Sequence, residues 1–451
     1  MTPRLLICAP SSGSGKTTVA CAMLRAFVRR GLSPMACKSG PDYIDPMFHE
    51  SVIGAKSRNL DLFFFSRETA RALLYKNAAG AGVTVLEGAM GYYDGIAMTA
   101  RASAYDLACA TNTPAVLVAD GRGRALSVAA EVKGFLCFRC PSRIAGVIVN
   151  RVSPMLYPHL AETITQETGL PVFGYLPEMH DCAIESRHLG LVTAAEIGDL
   201  QLKLDKLAAQ AEKTLDLDGL LTLAGTAPEI CDTLPALTPI PAPVRIGVAR
   251  DKAFCFYYED SLDVLRSLGA ELVEFSPLRD AALPVNIQGL YLGGGYPELY
   301  AKQLSENESM RRSVRGAVAS GLPTIAECGG FLYLHKTLQD ASGAKYPMAG
   351  VLDAEAYPTG KLSRFGYVML TAEKDGLLLG VLESIPAHEF HYWDSTAPGV
   401  DFSAQKPLSP RHWMAGIGTD SPYAGFAHVH FAARPKSARR FLEKAAAYGR
   451  G

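Results

Sequence analysis

The stretch Ala9-Pro10-Ser11-Ser12-Gly13-Ser14-Gly15-Lys16-Thr17-Thr18 lies between an apolar run at 5–9 and a segment with helical periodicity at 17–31. A phosphate-binding loop needs this strand–loop–helix context, because backbone N–H groups and a helix N-terminus must face the anion. Position 10 is proline where the strict pattern has glycine, but the remaining positions match. We expect Lys16 to neutralise the β- and γ-phosphates of a nucleotide and the Thr17 hydroxyl to bind Mg²⁺.

Apolar runs alternate with helical stretches on both sides of the chain's middle. Continuous apolar strands separated by helices indicate an α/β fold with a parallel sheet covered on both faces. Strands are predicted at 83–87, 115–119, 144–150, 172–175, 245–249, 271–275, 289–292 and 323–326.

A change in composition predicts the domain boundary. A helical piece rich in Leu, Ala and Lys is followed by five prolines between Pro228 and Pro243, and proline-rich linkers are semi-rigid spacers. We therefore predict an ATP-binding domain at 1–199, a helical and proline-rich linker at 200–243, and a second α/β domain at 244–451.

The composition is that of an ordinary globular protein, with 48% hydrophobic residues, 20% charged residues and a formal net charge of -1 over 451 residues. This balance argues against a nucleic-acid partner, which usually leaves a basic excess. No run approaches about 18 apolar residues, so no membrane span is expected. Removal of a signal peptide would delete the phosphate loop. We therefore expect a cytoplasmic protein whose ten scattered cysteines are reduced.

Acidic residues follow two of the predicted strands, in Lys38-Ser-Gly-Pro-Asp42-Tyr43-Ile-Asp45 and in Glu87-Gly-Ala-Met-Gly-Tyr-Tyr-Asp94. Ligands gather outside the carboxyl ends of parallel strands, and Mg²⁺ prefers carboxylates and phosphate oxygens. We expect a metal site formed by Thr17, Asp42 and Glu87, although any single aspartate also suits a helix cap or a turn. Asn150 ends another strand and is a candidate for the adenine edge or a plain turn residue.

The second motif is Ala326-Glu327-Cys328-Gly329-Gly330, which joins a predicted strand to a predicted helix. It resembles a nucleophile elbow, in which small neighbours allow a sharp turn and the helix N-terminus favours a thiolate. The N–H of Gly329 is placed to hold an oxyanion, and Gly293-Gly294-Gly295 offers a second donor. The base is expected in Phe426-Ala427-His428-Val429-His430. Strand alternation points both histidines to one face, so the pattern does not choose between them.

Taken together, the phosphate loop, Gly40-Pro-Asp-Tyr-Ile-Asp45, Glu87-Gly-Ala-Met-Gly-Tyr-Tyr-Asp-Gly95, Glu-Cys-Gly-Gly330 and His428-Val-His430 resemble the cobyrinate a,c-diamide synthase family. The resemblance covers nearly the whole chain in order. It implies a dethiobiotin-synthetase-like nucleotide domain and a triad-type class I glutamine amidotransferase domain. It also implies a carbon–nitrogen ligase that amidates the a- and c-acetate carboxylates of a corrinoid with ATP, Mg²⁺ and L-glutamine.

The same resemblance implies roles for individual residues. Cys328 would attack the glutamine amide, and His428 would be its base because it matches the first histidine of the family's His-x-His. No third member of the triad is assigned, since His430 stands where other amidotransferases have glutamate. The residues implied near the substrate carboxylate are Asp42, Tyr43, Asp45 and Asp94. Those implied to bind ATP are Gly13, Ser14, Gly15, Lys16, Thr17, Thr18, Lys38 and Asn150. Those implied to stabilise the oxyanion are Gly294, Gly295 and Gly329.

Several alternatives stay open at this point. The motifs fit the same reaction on hydrogenobyrinate or nickel sirohydrochlorin equally well. Amidation at other cobyrinate positions, as in cobyric acid synthases, is disfavoured by Gly40-Pro-Asp-Tyr-Ile-Asp45. A regulatory P-loop ATPase with an inactive cysteine domain is disfavoured by Cys328 and His428. A homodimer and the order of the two amidations are also left open.

Overall fold

The computed structural model describes residues 2–182, 194–362 and 364–450. The chain divides into two compact units, Met1–Pro235 and Ala236–Gly451. Both are α/β, which confirms the predicted fold class. A search of the described residues for a helix long and apolar enough to cross a membrane finds none.

The first unit is built on a seven-stranded parallel sheet in the order β3-β2-β4-β1-β5-β6-β7. Its strands are β1 (Arg4–Cys8), β2 (Pro34–Lys38), β3 (Lys56–Asn59), β4 (Val83–Glu87), β5 (Ala115–Asp120), β6 (Ile144–Asn150) and β7 (Val172–Leu176). Its helices are α1 (Lys16–Arg29), α2 (Ile44–Phe48), α3 (Arg67–Asn77), α4 (Ala104–Thr111), α5 (Ser127–Phe138), α6 (Tyr157–Thr168), α7 (Ala194–Thr214) and α8 (Leu217–Gly225).

The register of the central strands determines which polar groups meet at the carboxyl edge of this sheet. β4 lies between β1 and β2, so that Glu87 is level with Ile7 on one side and with Lys38 on the other. The loop after β1 and the last residues of β2 and β4 therefore share one end of the sheet.

Helices α7 and α8 pack on the core of the first unit. Leu204, Leu207 and Leu220 belong to the same buried cluster as Phe27 of α1. On the rim, Arg30, directly after α1, pairs with Glu212 at 2.6 Å. The helical part of segment 200–243 thus contributes apolar surface to this unit.

The second unit contains a mostly parallel sheet and two smaller sheets. The six-stranded sheet has the order β20-β21-β11-β10-β8-β9, and only the β20–β21 pair in it is antiparallel. The others are a four-stranded sheet, β13-β12-β14-β17, and a five-stranded antiparallel sheet, β19-β18-β15-β16-β22.

The strands of this unit are β8 (Val244–Ala249), β9 (Ala270–Phe275), β10 (Gly289–Leu292), β11 (Thr324–Glu327), β12 (His335–Gln339), β13 (Lys345–Pro347), β14 (Leu352–Pro358), β15 (Arg364–Ala372), β16 (Ser384–His391), β17 (Trp393–Ser395), β18 (Phe402–Gln405), β19 (His412–Ala415), β20 (Ile417–Gly418), β21 (Tyr423–Gly425) and β22 (His428–Val429). Its helices are α9 (Glu259–Ser267), α10 (Ala301–Glu306), α11 (Glu308–Ala319), α12 (Gly329–Leu334) and α13 (Pro435–Tyr448).

Candidate functional sites

The phosphate loop has the backbone that its glycines predict. Gly13 has φ 79° and Gly15, which precedes α1, has φ 92°, a region that side-chain-bearing residues rarely adopt. A Cβ on Gly15 would also lie 2.0 Å from Asn150 Nδ2. Lys16 Nζ donates to the carbonyl of Ser11 at 3.0 Å, which folds the side chain back over the loop.

Glu87 is the centre of a buried charged cluster behind that loop. Its Oε1 accepts hydrogen bonds from Thr17 Oγ1 at 2.6 Å and from Lys38 Nζ at 2.8 Å. The same ammonium group lies 2.5 Å from Asp45 Oδ2. Burial lowers the pKa of Lys38, but the charges of Glu87 and Asp45 outweigh burial and raise it. Lys38 therefore serves as the counter-ion of two carboxylates while it also lines the cavity over the loop.

His49 completes this cluster and was missed by the sequence analysis. Its Nε2 lies 3.8 Å from Glu87 Oε2, and its Nδ1 lies 3.2 Å from Ser57 Oγ. Burial lowers the pKa of His49, against the attraction of Glu87 and Asp45. The only hint in the sequence is its position one helical turn after Asp45, which places it on the same side of the chain.

Asp42 and Asp45 are neighbouring carboxyl groups, and the charge of each affects the pKa of the other. Burial and the charge of Asp45 raise the pKa of Asp42 to about 7, and Lys38 offsets this only in part. Burial also tends to raise the pKa of Asp45, but the Lys38 ammonium group outweighs it and holds that pKa below its usual range. One ionised and one protonated carboxyl therefore lie side by side near neutral pH.

Asp94 and Tyr43, which were also predicted near the substrate carboxylate, lie outside the charged cluster around Glu87. Asp94 is exposed and its Oδ2 accepts the N–H of Gly91 at 3.1 Å, which is the turn role weighed for it in the sequence. It still lies near enough to Lys16 to raise the pKa of that ammonium group, against the larger effect of burial. Tyr43 is buried, 9% exposed, directly before α2.

Two adjoining cavities open on the loop. One of about 490 Å³ is lined by the loop, Lys38, Asp42 and Asp45. The other, of about 180 Å³, is lined by Asn150 and by residues after β7 such as Pro177. Asn150 Nδ2 donates to the Ser14 carbonyl at 3.1 Å, so part of its hydrogen-bonding capacity supports the loop.

Arg151 borders both cavities and was not singled out from the sequence. Its guanidinium group forms a two-pronged pair with Asp120, at 3.0 and 2.5 Å, and donates to the Gly13 carbonyl at 2.8 Å. A guanidinium group fixed in this way presents a preorganised positive charge beside the loop.

The donor set at Glu87 fits a magnesium ion. Thr17 Oγ1 and the Glu87 carboxylate are adjacent, and Glu87 Oε2 has no hydrogen-bond partner among the residues that the structure describes. Within the same residues no group of three or more His, Cys, Asp or Glu side chains could hold a metal. Mg²⁺ typically takes one or two protein carboxylates and completes its shell with water and phosphate oxygens.

Cys328 occupies a strained turn between β11 and α12, with φ 47° and ψ -100°. Its N–H donates to the Gly425 carbonyl at 2.7 Å, which anchors the turn to the neighbouring strand β21. A Cβ on Gly330 would lie 2.1 Å from the Leu292 carbonyl oxygen, so this position needs glycine. The geometry is that of a nucleophile elbow, and strain of this kind is typical of functional sites.

His428 is held between the thiol and a buried carboxylate. Burial alone would lower the pKa of His428, but its interactions with Cys328 and Glu327 raise that pKa to about 10. Its Nδ1 lies 3.8 Å from Glu327 Oε2. The ring is therefore protonated at neutral pH, beside the side chains of Cys328 and Glu327.

Glu327 is the orienting residue that the sequence analysis left unassigned. Its Oε1 accepts the N–H of Val429 at 3.0 Å and its Oε2 accepts the Tyr291 hydroxyl at 3.0 Å. These bonds fix the carboxylate beside His428. Neighbours in a strand point to opposite faces, so residue spacing alone does not pair Glu327 with the base for Cys328.

His430, the second histidine of the motif, has a different role from His428. His430 Nδ1 lies 3.2 Å from Ser261 Oγ, and the ring stacks on Tyr258 at 4.5 Å. Burial lowers the pKa of His430 to about 3, so this ring is neutral. The structure thus separates the two histidines that the pattern could not: His428 faces Cys328 and Glu327, and His430 supports α9.

The predicted oxyanion glycines surround the same turn. A Cβ on Gly294 would lie 2.4 Å from His428 Cε1, and one on Gly329 would lie 3.0 Å from the amide nitrogen of Gly295. Gly295 has φ 155°. The absence of side chains lets the segment after β10 approach both the histidine and the start of α12.

Comparisons with known proteins match both units. Residues 5–192 match the CobQ/CobB/MinD/ParA nucleotide binding domain, and residues 245–435 match the CobB/CobQ-like glutamine amidotransferase domain. The cobyrinate a,c-diamide synthase of Caldanaerobacter subterraneus subsp. tengcongensis is 39% identical over 449 residues, 99% of each chain. That of Thermoplasma volcanium is 37% identical over 99% of this chain and 98% of the relative. That of Salmonella typhimurium is 38% identical over 98% of this chain and 97% of the relative.

The raised pKa of Asp42 gives a stability prediction. Its folded-state pKa, about 7, lies above the ordinary value of 3.8, so stability from the protonated carboxyl is present below about pH 4 and is lost as pH rises through 7. Asparagine cannot ionise and keeps the Oδ1 acceptor for the Ile44 N–H, 2.9 Å away. We expect Asp42→Asn to stabilise the first unit by about 2 kcal/mol more at pH 8 than at pH 5. Thermal unfolding without nucleotide measures this.

The matched control for Asp42→Asn is Asp218→Asn, because Asp218 is exposed and forms a surface ion pair with Arg30. Its effect on unfolding should be small and the same at both pH values. An Asp42→Asn effect of equal size at pH 5 and pH 8 would show that the carboxyl is ionised throughout this range.

Proposed function

The chain belongs to the cobyrinate a,c-diamide synthase family, and from this premise we propose that it converts the a- and c-acetate carboxylates of cobyrinate to amides with ATP and L-glutamine. It is a carbon–nitrogen ligase that uses glutamine, and its relatives act in cobalamin biosynthesis. The observation that carries the proposal is the presence in one chain of a phosphate loop with buried carboxylates and a strained thiol with an imidazolium partner. We place the reaction in the cytoplasm, where ATP and glutamine are available.

The thiol unit supplies ammonia in this proposal. Cys328 sulfur attacks the amide carbon of glutamine, and His428 gives its proton to the leaving nitrogen, which departs as ammonia and leaves a thioester. Water then hydrolyses the thioester to glutamate and restores the thiolate–imidazolium pair. The N–H groups of Gly295 and Gly329 are suited to the oxyanion formed in each step. Glu327 keeps His428 oriented and charged.

The nucleotide unit makes the carboxylate reactive. A carboxylate is a poor acyl electrophile because its oxygen is a poor leaving group, and transfer of the γ-phosphoryl group of ATP gives an acyl phosphate that ammonia attacks, with release of phosphate. Lys16 and the loop N–H groups would hold the phosphates, and Thr17 with Glu87 would hold Mg²⁺. When bound, that ion neutralises charge on the transferring phosphoryl group. Lys38 and Asp45 fix the position of Glu87, and Asp42 borders the cavity that the substrate carboxylate would enter.

Mass spectrometry of the products tests this function and identifies the ring. With ATP, Mg²⁺ and glutamine, cobyrinate should show two successive small mass decreases, each equal to exchange of a carboxyl OH for NH₂. Hydrogenobyrinate and nickel sirohydrochlorin are the alternative substrates for parallel reactions. Fragmentation should place both amides on acetate side chains, and unchanged masses for all three rings would refute the proposal.

Substitution of the thiol should separate the two half-reactions. In Cys328→Ser, glutamine-driven amidation should fall about a thousandfold or more, since the nucleophile is removed. Ammonium-driven amidation should be preserved, because the phosphate loop and its carboxylates are untouched. Equal loss with both nitrogen sources would argue against two separate sites.

The role of Glu327 is tested by removing only its charge. Glu327→Gln should lower glutamine-driven turnover about 10- to 100-fold, because an interaction with a charged group is worth about 1.5–3 kcal/mol. Tyr291→Phe is the matched control, since it removes a hydrogen bond to the same carboxylate and leaves the charge in place. The expected order of turnover is parent, Tyr291→Phe, then Glu327→Gln, with ammonium-driven rates equal. A loss in Tyr291→Phe as large as in Glu327→Gln would assign the effect to packing.

A further inference from the structure

A buried histidine faces the carboxylate behind the phosphate loop. His49 and Glu87 are each 1% exposed, and His49 Nε2 lies 3.8 Å from Glu87 Oε2. Among the residues that the structure describes, neither of these two atoms has a hydrogen-bond partner. An unpaired buried polar group costs about 1–3 kcal/mol. The separation exceeds a normal N–H···O length of about 2.7–3.2 Å, so a small movement of either side chain closes the contact.

The second nitrogen of the His49 ring determines which nitrogen carries the proton. His49 Nδ1 lies 3.2 Å from Ser57 Oγ, and a hydroxyl group can donate or accept. With the proton on Nδ1, the lone pair of Nε2 would face the lone pairs of Glu87 Oε2. With the Ser57 hydroxyl donating to Nδ1, Nε2 carries the proton and faces the same oxygen as a donor. The charge of Glu87 therefore favours the tautomer with Nε2–H.

The two oxygens of Glu87 have different surroundings. Oε1 accepts hydrogen bonds from Thr17 Oγ1 at 2.6 Å and from Lys38 Nζ at 2.8 Å, whereas no donor reaches Oε2 within the described ranges. Two donors on one oxygen allow the carboxylate to turn about that oxygen. A donor at Oε2 removes this freedom and fixes the plane of the group. Since Mg²⁺ demands near-ideal octahedral geometry, the plane of a carboxylate ligand affects how tightly it holds the ion.

The backbone brings His49 to this position. Directly after α2, residues His49–Ile53 form a single π-helical turn, and such turns are rare and frequent at functional sites. Asp45 lies four residues before His49 on the same side of the chain, where it pairs with Lys38 at 2.5 Å. One short segment thus presents Asp45 to the lysine and His49 to Glu87.

We propose that His49 is a positioning residue of the nucleotide site: its Nε2–H donates to Glu87 Oε2 and fixes the carboxylate that would hold Mg²⁺. The inference rests on the proposed function, since it concerns the ATP-dependent step of the same reaction. His49 is absent from the lining of the 490 Å³ cavity over the loop. It therefore acts through Glu87 and not on the substrate, while Ser57 of β3 orients its ring.

Two amide substitutions separate the two hydrogen bonds of the ring. In His49→Gln the amide nitrogen reaches the position of Nε2, so the donor to Glu87 is retained. In His49→Asn the amide group reaches only the position of Nδ1, so the donor to Glu87 is lost. Removal of a group that orients a metal ligand typically costs about 10- to 100-fold in metal affinity. We expect His49→Asn to raise the Mg²⁺ concentration for half-maximal ammonium-driven amidation by that factor, and His49→Gln to stay close to the parent.

Metal binding is also measured without catalysis. The full-length protein is mixed with a non-hydrolysable ATP analogue and titrated with Mn²⁺, and the EPR signal of the unbound ion is followed. Mn²⁺ binding should weaken by the same factor in His49→Asn and be retained in His49→Gln. Binding of the analogue in EDTA should be equal in the parent and both variants, because the loop N–H groups and Lys16 are unchanged. The EDTA measurement reports whether the loop is intact.

The matched control is His159→Asn, the same change at an exposed histidine of the first unit, and it should leave metal binding unchanged. Equal weakening of Mn²⁺ binding in His49→Asn and His49→Gln, or weakening in neither, would overturn the proposal. Loss of analogue binding in EDTA by His49→Asn would also overturn it, because the histidine would then support the loop and not the metal ligand. If the parent amidates no tetrapyrrole with ammonium and ATP, the proposed function itself fails, whereas the Mn²⁺ titration still tests the contact.

Discussion

Both sites depend on one constraint: a residue with a positive φ angle stands directly before a helix. This residue ends the loop after β1 in the first site and directly follows β11 in the second. Gly15 has φ 92° before α1, and Cys328 has φ 47° before α12. In each case the chain reverses sharply and a helix begins at the next residue, so that its first N–H groups lie beyond the carboxyl end of the preceding strand. At Gly15 the conformation carries little cost, whereas at Cys328 it costs about 1–3 kcal/mol and persists because the surrounding contacts hold it. The bond from Cys328 N–H to Gly425 and the close approach of Gly330 to Leu292 are those contacts.

The two turns determine where the functional side chains lie, and buried carboxylates beside them interact with those side chains. Glu87 is held behind the phosphate loop because Lys38 and Thr17 both donate to its Oε1. Glu327 plays the equivalent part behind Cys328, where Tyr291 and Val429 hold it beside His428. Where burial acts on a histidine without such a carboxylate, as at His430, it lowers the pKa of the ring to about 3. The same fold therefore maintains a charged imidazolium at position 428 and a neutral ring two residues later.

Features encoded by neighbouring residues were predictable from the sequence, and features that depend on register were not. The phosphate loop and the cysteine turn are contiguous, so glycine spacing and the flanking apolar runs identify them. The roles of His49 and Glu327 depend on how strands and turns bring distant groups together, which alternation does not report and which spacing hints at only for His49. For a related reason, strand alternation left the choice between His428 and His430 open. Strand β22 ends at Val429, so the alternation that would place both rings on one face does not extend to His430. Strands β12 to β20 are either only two to five residues long or interrupt their apolar residues with polar ones, so they also lack the continuous apolar runs that indicate the parallel sheets.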